Sequence, residues 1–172
     1  MSNRILVCYA SRAGSTGGVA EAIGKTLAET GAQVDVCAMK DVQDLAAYRA
    51  VVAGSAIRGG KWLPEAMQFM RTHQATLARK PFAAFLVCIT LAMPNADKYR
   101  DGVATWLDPV RALVKPASEG LFAGALDLSQ VSFFDGLGMR VAIAFGIFPQ
   151  GDHRNWNAIR VWAADLEPIL AA

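Results

Sequence analysis

Residues 5–16 of the chain, ILVCYASRAGST, join an unbroken apolar run to a loop of small and hydroxyl-bearing residues. Residues 5–9 are apolar without alternation, which is typical of a strand buried on both faces of a parallel sheet. The loop leads into residues 17–30, whose apolar positions recur every three or four residues, as in a helix packed against a sheet. This stretch therefore predicts the first strand, loop and helix of an α/β domain.

The alternation of strand and helix continues along the chain. Further strands are predicted at residues 33–39, 50–54, 81–88 and 119–123, and further helices from Pro64, over about 97–114 and after the N-cap Asn155. Parallel strands need helical crossovers, so this order predicts a single three-layer αβα domain, residues 1–172, with a doubly wound five-stranded parallel sheet. The expected strand order is 2-1-3-4-5. Ligands would then bind at the carboxyl ends of the strands, on the loops after the first, third and fourth.

The composition fits a compact domain and argues against several classes of protein. Of the 172 residues, 53% are hydrophobic and 19% are charged, and the net charge of +2 is too small to attract nucleic acid by counter-ion release. The three cysteines, Cys8, Cys37 and Cys88, match neither a disulfide framework nor a zinc site, and we interpret them as reduced core residues. We recognise no signal peptide or membrane span, so a cytoplasmic protein is expected.

The first loop has the composition of a phosphate site. Gly14 lets the backbone curl so that N–H groups point inward, and Ser11, Ser15 and Thr16 add hydroxyl donors beside the positive end of a helix dipole. The alternative is an ordinary N-terminal cap. Three hydroxyls and a glycine exceed what capping requires, so phosphate binding is favoured. The Walker pattern and the dinucleotide pattern G-x-G-x-x-G both fail here, which leaves the phosphate of a mononucleotide.

These residues carry a resemblance. SRAGST at residues 11–16 resembles the phosphate loop of flavodoxins, Thr/Ser-x-Thr-Gly-x-Thr, with Ala13 in place of one hydroxyl. GSAIRGG at 54–60 is similar to the Gly-Ala-Ser-Ile-Arg-Tyr-Gly loop of the menaquinone-dependent protoporphyrinogen oxidases, with Gly59 in place of the tyrosine. AGAL at 123–126 and the D-x-R-x-W pattern at 152–156 extend the similarity over nearly the whole chain.

The resemblance implies an FMN site and assigns residues to it. The implied cofactor-binding residues are Ser11, Arg12, Ala13, Gly14, Ser15 and Thr16 for the phosphate, and Ser55, Ala56, Ile57, Arg58, Gly59, Gly60 and Thr90 for the ring. Trp62 has two interpretations: it stacks on the ring, or it covers the helix that begins at Pro64. We expect no catalytic side chain and no metal site, because His73 and His153 lack a nucleophile partner or a ligand set.

The resemblance also implies an activity. An oxidoreductase of this kind would oxidise protoporphyrinogen IX to protoporphyrin IX, a step of heme biosynthesis, and pass the electrons to a quinone. Arg58, Lys61 and Arg140 are candidates to meet the substrate's propionates. Two alternatives stay open: an electron-transfer flavodoxin that serves a redox partner protein, and an NAD(P)H:quinone reductase. The +2 charge argues against the first, since such carriers tend to be acidic, and we find no nicotinamide-binding element for the second.

An apolar insertion at about residues 126–154 separates the fifth strand from the last helix. Within it, residues 131–148 carry only two charges, Asp135 and Arg140. The favoured interpretation is a flap or short helix packed on the domain's own surface. The functional interpretations are a cover for a large apolar substrate, a homodimer patch, or a peripheral contact with the inner face of the membrane.

Overall fold

An interior strand of the sheet, β1 (Arg4–Ala10), is buried over most of its length because its side chains are apolar on both faces. The computed structural model describes residues 3–127, 129 and 133–172, except for the side chains of 133–136 and 139. The other strands are β2 (Gln33–Ala38), β3 (Ala50–Arg58), β4 (Lys61–Trp62), β5 (Phe82–Cys88), β6 (Ser118–Ala123), β7 (Ala125–Leu126) and β8 (Gly151–Asp152). The α-helices are α1 (Ser15–Ala28), α2 (Pro64–Thr72), α3 (Gln74–Leu77), α4 (Asp97–Ala104), α5 (Asp108–Leu113), α6 (Phe133–Ala144), α7 (Trp156–Asp165) and α8 (Glu167–Leu170).

Five parallel strands form the main sheet in the order β2-β1-β3-β5-β6, which confirms the predicted doubly wound topology. The numbers differ from the predicted order 2-1-3-4-5 because a short strand, β4, follows β3 in the chain and pairs with it in antiparallel fashion. Successive side chains of β1 enter opposite cores. Leu6 lies in the cluster that includes side chains of α2 to α5, and Val7 lies in the cluster that includes α1, α7 and α8. The layers are therefore helix, sheet and helix, as predicted.

The prediction that the third strand ends at residue 54 is wrong, because β3 continues to Arg58 and the chain turns back through β4. Gly59 and Gly60 have φ of 57° and 70° and form a two-residue turn with Arg58 opposite Lys61. Two consecutive residues at positive φ produce a turn whose twist matches that of the flanking strands, and glycine adopts this conformation at little cost. The sequence after the third strand is thus a β-hairpin.

Two predicted helices are interrupted. The helix expected over 97–114 consists of α4, a 3-10 turn at Thr105–Leu107 and α5. Pro109 is the second residue of α5, and because it has no N–H it cannot continue the hydrogen-bond ladder of the turn before it. The helix after Pro64 divides at His73, whose φ of −104° and ψ of 10° lie outside the helical region.

The insertion contains a helix held at its base by a ribbon. β7 and β8 pair in antiparallel fashion, with Ala125 opposite Asp152, and α6 lies between them in sequence. The expected short helix is present, but the prediction that it packs on the domain is wrong for Leu137 and Val141, which are 61% and 49% exposed, and Phe145 directly after the helix is 79% exposed. Residues 131 and 132 of the predicted apolar segment lie outside the described residues. Of the described helices, none has both the length and the apolar character needed to cross a bilayer.

Candidate functional site

Three loops meet at the carboxyl edge of the sheet, as the strand order predicts. Ala10 at the end of β1 is paired with Ser55 of β3, and Ser55 is paired in turn with Leu86 of β5. The loop after β1, the hairpin β3–β4 and the turn after β5 therefore emerge side by side.

The loop after β1 curls around Gly14. Its φ is 83°, and no heavy atom lies within 4 Å of the position that a Cβ would occupy. The Gly14 N–H donates to Ser11 Oγ at 3.0 Å, which closes the loop on itself. Gly14 is also the N-cap of α1, whose first turn contains no acidic residue. An anion approaching this end of the helix would meet the positive end of its dipole without a competing carboxylate in that turn.

Thr16 gives the clearest sign of a ligand in this loop. Its side chain is fully buried, and Oγ1 has no hydrogen-bond partner within the described part of the chain. A buried polar group without a partner costs about 1–3 kcal/mol, so such groups usually have one. A phosphate monoester at the start of α1 would supply the missing acceptor. The residues present therefore fit a phosphate-bearing cofactor.

Arg12 connects the loop to α2. Its guanidinium lies 2.8 Å from Glu65 Oε1, and both side chains are more than a third exposed. Exposed pairs of this kind contribute little, about 0–1 kcal/mol. The predicted role of Arg12 in cofactor binding stays a prediction, and a role for its side chain would require this pair to open.

The hairpin after β3 is held by side chains that point away from solvent. Ser55 is buried, and its Oγ accepts from the Leu63 N–H at 3.0 Å and donates to the Ala56 carbonyl at 2.8 Å. Trp62 is 4% exposed and belongs to the core beside α2, so the interpretation that it stacks on a ring is wrong. The hairpin therefore offers a ligand its turn and exposed backbone rather than these side chains.

Trp106 supports the hairpin turn from the other side, a role that the sequence pattern did not indicate. A Cβ on Gly60 would lie 3.1 Å from Trp106 Nε1, so the indole packs directly on the glycine. The third loop is the 3-10 turn Ile89–Ala92, in which Thr90 is half-buried. Directly before this turn, the carbonyl of Cys88 at the end of β5 accepts from the N–H of Gly124, which follows β6, at 3.1 Å.

Arg154 joins the ribbon of the insertion to the loop after β1. Its Nε and Nη2 donate to the Asp152 carboxylate at 2.9 and 2.6 Å, and its Nη1 donates to the Ser15 carbonyl at 3.2 Å. The bonds between Arg154 and the carboxylate lower the pKa of Asp152 to about 2 and raise the pKa of Arg154. The D-x-R-x-W pattern was visible in the sequence, but it did not reveal this contact.

Two cavities flank the loop. One, of about 640 Å³, lies between Ala13–Ser15 and the ribbon, and Arg154 contributes to its wall. The other, of about 670 Å³, lies between the loop and the end of β2, where Cys37, Lys40 and Glu65 line it. Gly14 lines both, so the loop is their shared wall.

The family model described as flavodoxin domain matches residues 6–144 of the sequence, which is most of the chain. The chain belongs to the flavodoxin family. A curated relative, a protoporphyrinogen IX dehydrogenase [quinone] from Leishmania major, is 29% identical over 183 aligned positions, covering 99% of this chain and 78% of the relative. Two solved flavodoxins share the fold: one from Streptococcus pneumonia TIGR4 has a TM-score of 0.60 and 16% identity, covering 98% of this chain and 97% of that one. Flavodoxin 2 from Bacillus cereus has a TM-score of 0.54 and 25% identity, covering 83% of this chain and 99% of that one.

Membership of this family implies a flavin cofactor, and the carboxyl edge of this flavodoxin domain is where the sequence predicted one. The same edge brings together the loop after β1, the Gly59–Gly60 turn and Thr90. Their roles as cofactor ligands stay predictions, as do the homodimer and the peripheral membrane contact. The exposed apolar side chains of the insertion are compatible with either.

In this flavodoxin domain the two histidines contact other protein groups, and the three cysteines form no disulfide. The His73 ring packs on Phe69 at 4.7 Å, and burial lowers its pKa. His153 Nε2 lies 3.1 Å from the Gln150 carbonyl. Cys8 and Cys88 are buried and free, as predicted, and Cys37 is free and half-buried. No cluster of possible metal ligands occurs among the described residues.

Proposed function

We propose that this flavodoxin domain is an FMN-dependent oxidoreductase that oxidises protoporphyrinogen IX to protoporphyrin IX with a quinone as electron acceptor. The main support for FMN as the cofactor is the hydroxyl of Thr16 at the start of α1, which is buried without a hydrogen-bond partner among the described residues. A single phosphate at the N-terminus of a helix matches FMN. The similarity to the Leishmania dehydrogenase, which spans 99% of this chain and so includes the insertion, supports the substrate and the acceptor.

The chain's own part in the reaction is to bind and orient. Ser11, Ser15 and Thr16, with the amides of the loop, would hold the phosphate. The Gly59–Gly60 turn would let backbone approach the ring closely, because no Cβ intervenes. When bound, FMN supplies the redox chemistry: each turnover transfers two electrons and two protons from the porphyrinogen to one quinone, which becomes a quinol, so three turnovers and three quinones complete the oxidation to protoporphyrin IX. We assign no side chain as general acid or base.

Two surfaces suit the proposed partners. The exposed apolar side chains of the insertion, including Phe145 at 79% exposure, suit a quinone or a tetrapyrrole face better than a charged carrier. Arg58 and Lys61 at the hairpin turn are exposed and would be placed to meet propionate groups. Together with the net charge of +2, these features favour an enzyme with apolar reactants over an electron carrier.

The first test is the cofactor. Purified protein is expected to show a flavin absorption spectrum and to release FMN, rather than riboflavin or FAD, on denaturation. Failure to bind FMN at saturating concentration would contradict the proposal at its base.

The second test is turnover. The FMN-loaded protein is mixed with protoporphyrinogen IX and a menaquinone analogue, and porphyrin fluorescence is followed against a flavin-free control. We expect fluorescence to rise only when both flavin and quinone are present. No rise above the control would exclude the dehydrogenase. NAD(P)H oxidation by the same sample would favour the quinone reductase instead, and strongly salt-dependent electron transfer with a reductase would favour the carrier.

A further inference from the structure

We infer that Arg154 is a positioning residue for the phosphate loop. It fixes the Ser15 carbonyl and thereby sets the geometry in which the loop binds a phosphate monoester. Through Asp152 it also couples that loop to the ribbon at the base of the insertion. This inference rests on the proposed FMN cofactor, and it concerns how the chain prepares the site rather than which substrate reacts there.

The contacts of Arg154 are distributed over two parts of the chain. Two of its nitrogens form a fork on the Asp152 carboxylate, and Asp152 Oδ1 also accepts the Arg154 backbone N–H at 3.0 Å. Its remaining nitrogen, Nη1, reaches across 139 positions of sequence to the Ser15 carbonyl. A planar guanidinium held at two corners has little freedom at the third. The Ser15 carbonyl is therefore held by a donor whose own orientation is fixed by the ribbon.

Trp156 and Gly18 both lie close to the guanidinium of Arg154. Its carbon lies 4.5 Å from the centre of the Trp156 ring, which supports it from one side. A Cβ on Gly18 would lie 2.6 Å from Nη1, closer than the two atoms can stand. A larger residue at position 18 would therefore force the guanidinium of Arg154 to move from its place beside the first turn of α1. The side chain of Arg154 is 18% exposed, much less than the 57% of Arg12, the arginine of the loop after β1.

The charge of Arg154 is balanced by Asp152 at 2.6 Å, so the guanidinium contributes little net field to the loop. Its effect on the loop is then geometric. Loosening the Ser15 carbonyl should weaken the binding of a ligand's phosphate and leave the binding of its ring unchanged. FMN and riboflavin differ only by that phosphate, and they separate the two effects.

The experiment compares binding of FMN and riboflavin by quenching of flavin fluorescence. The variants are R154Q, which removes the guanidinium, R154K, which keeps the charge but not the fork, and G18A, which keeps Arg154 and displaces its guanidinium. Alanine favours a helix more than glycine does, so G18A should not weaken the fold. The matched control is G102A in α4, where a Cβ would meet no atom within 4 Å.

We expect the Kd for FMN to rise about tenfold in R154Q, R154K and G18A, the loss of roughly one charge-assisted hydrogen bond, with the Kd for riboflavin within about twofold. G102A should match the wild type for both ligands. An equal weakening of both ligands would show a merely structural role and overturn the inference, as would unchanged FMN binding or full restoration by lysine. Failure of the wild type to bind FMN would instead refute the proposed function, and this inference with it.

Discussion

Replacing Thr16 by valine should have opposite effects on the free protein and on its FMN complex. The two side chains have nearly the same shape, and the substitution removes only the hydroxyl that is fully buried without a partner. Relieving such a group should stabilise the free protein by about 1–3 kcal/mol. For a domain of this size, each kcal/mol corresponds to a rise in Tm of about 2–4 °C.

The same substitution should weaken the FMN complex. A hydrogen bond from a hydroxyl to a charged phosphate oxygen contributes about 1.5–3 kcal/mol, so its loss should raise the Kd roughly 10- to 150-fold. The increase in Tm on adding FMN should shrink accordingly, because a bound ligand stabilises by RT ln(1 + [L]/Kd). The free variant would then melt above the free wild type, and the two would approach each other or cross as FMN is added.

Thermal melts with and without FMN, together with a fluorescence titration of the Kd, measure both effects. The matched control is Thr26→Val on the same helix, since Thr26 Oγ1 already donates to the Ala22 carbonyl at 3.0 Å. This control should leave the Kd unchanged and should not raise the Tm. A Thr16→Val protein that melts below the wild type and binds FMN within twofold would refute the assignment of this hydroxyl to the phosphate.

Three further outcomes are expected. Gly60→Ala should lower the free energy of unfolding by about 1–3 kcal/mol more than Gly59→Ala, because both lie at positive φ but only position 60 faces the indole at 3.1 Å; urea denaturation compares them. Hydrogen bonds from Arg154 lower the pKa of Asp152 from 3.8 to about 2, so this carboxylate contributes stability above pH 3.8 that is lost as the pH falls toward 2. Asp152→Asn should therefore flatten the acid-unfolding curve in that window, as followed by circular dichroism. Phe145→Ser should change the free energy of unfolding by less than about 0.5 kcal/mol, since the ring is 79% exposed.

The fold could be predicted because its signals are local and periodic. The apolar run of residues 5–9 and the helical period after it lie within one short segment, and the parallel order followed from their repetition. The hairpin was missed although its signal is present, since two glycines between Arg58 and Lys61 can belong equally to a loop or to a two-residue turn. The interruption at Pro109 is the ordinary effect of proline within a helical pattern.

The sequence indicated the candidate site only where that site is built from neighbouring residues. The loop at 11–16 is six consecutive residues, and its small and hydroxyl-bearing composition predicted a phosphate site, a role that stays a prediction. The contact from Arg154 to Ser15 spans 139 positions, and no local pattern encodes such a distance. Trp106 has the spacing of a core residue on a helix, yet it packs on Gly60 of the hairpin. Both long-range contacts come from the way crossovers bring distant segments to one edge of the sheet.

The difference between the N-termini of α1 and α7 bears on whether the hydroxyls of the loop after β1 cap the helix or bind a ligand. The N-cap of α7 is Asn155, whose side chain accepts from the Ala158 N–H at 3.0 Å in the ordinary way. The N-cap of α1 is Gly14, which offers no side-chain cap, although three hydroxyls lie within the few residues before and after it. Ser11 bonds to the Gly14 N–H instead, and Thr16 has no partner among the described residues. If these hydroxyls served to cap α1, at least one would bond to its first-turn amides as Asn155 does for α7, so their arrangement favours an external acceptor.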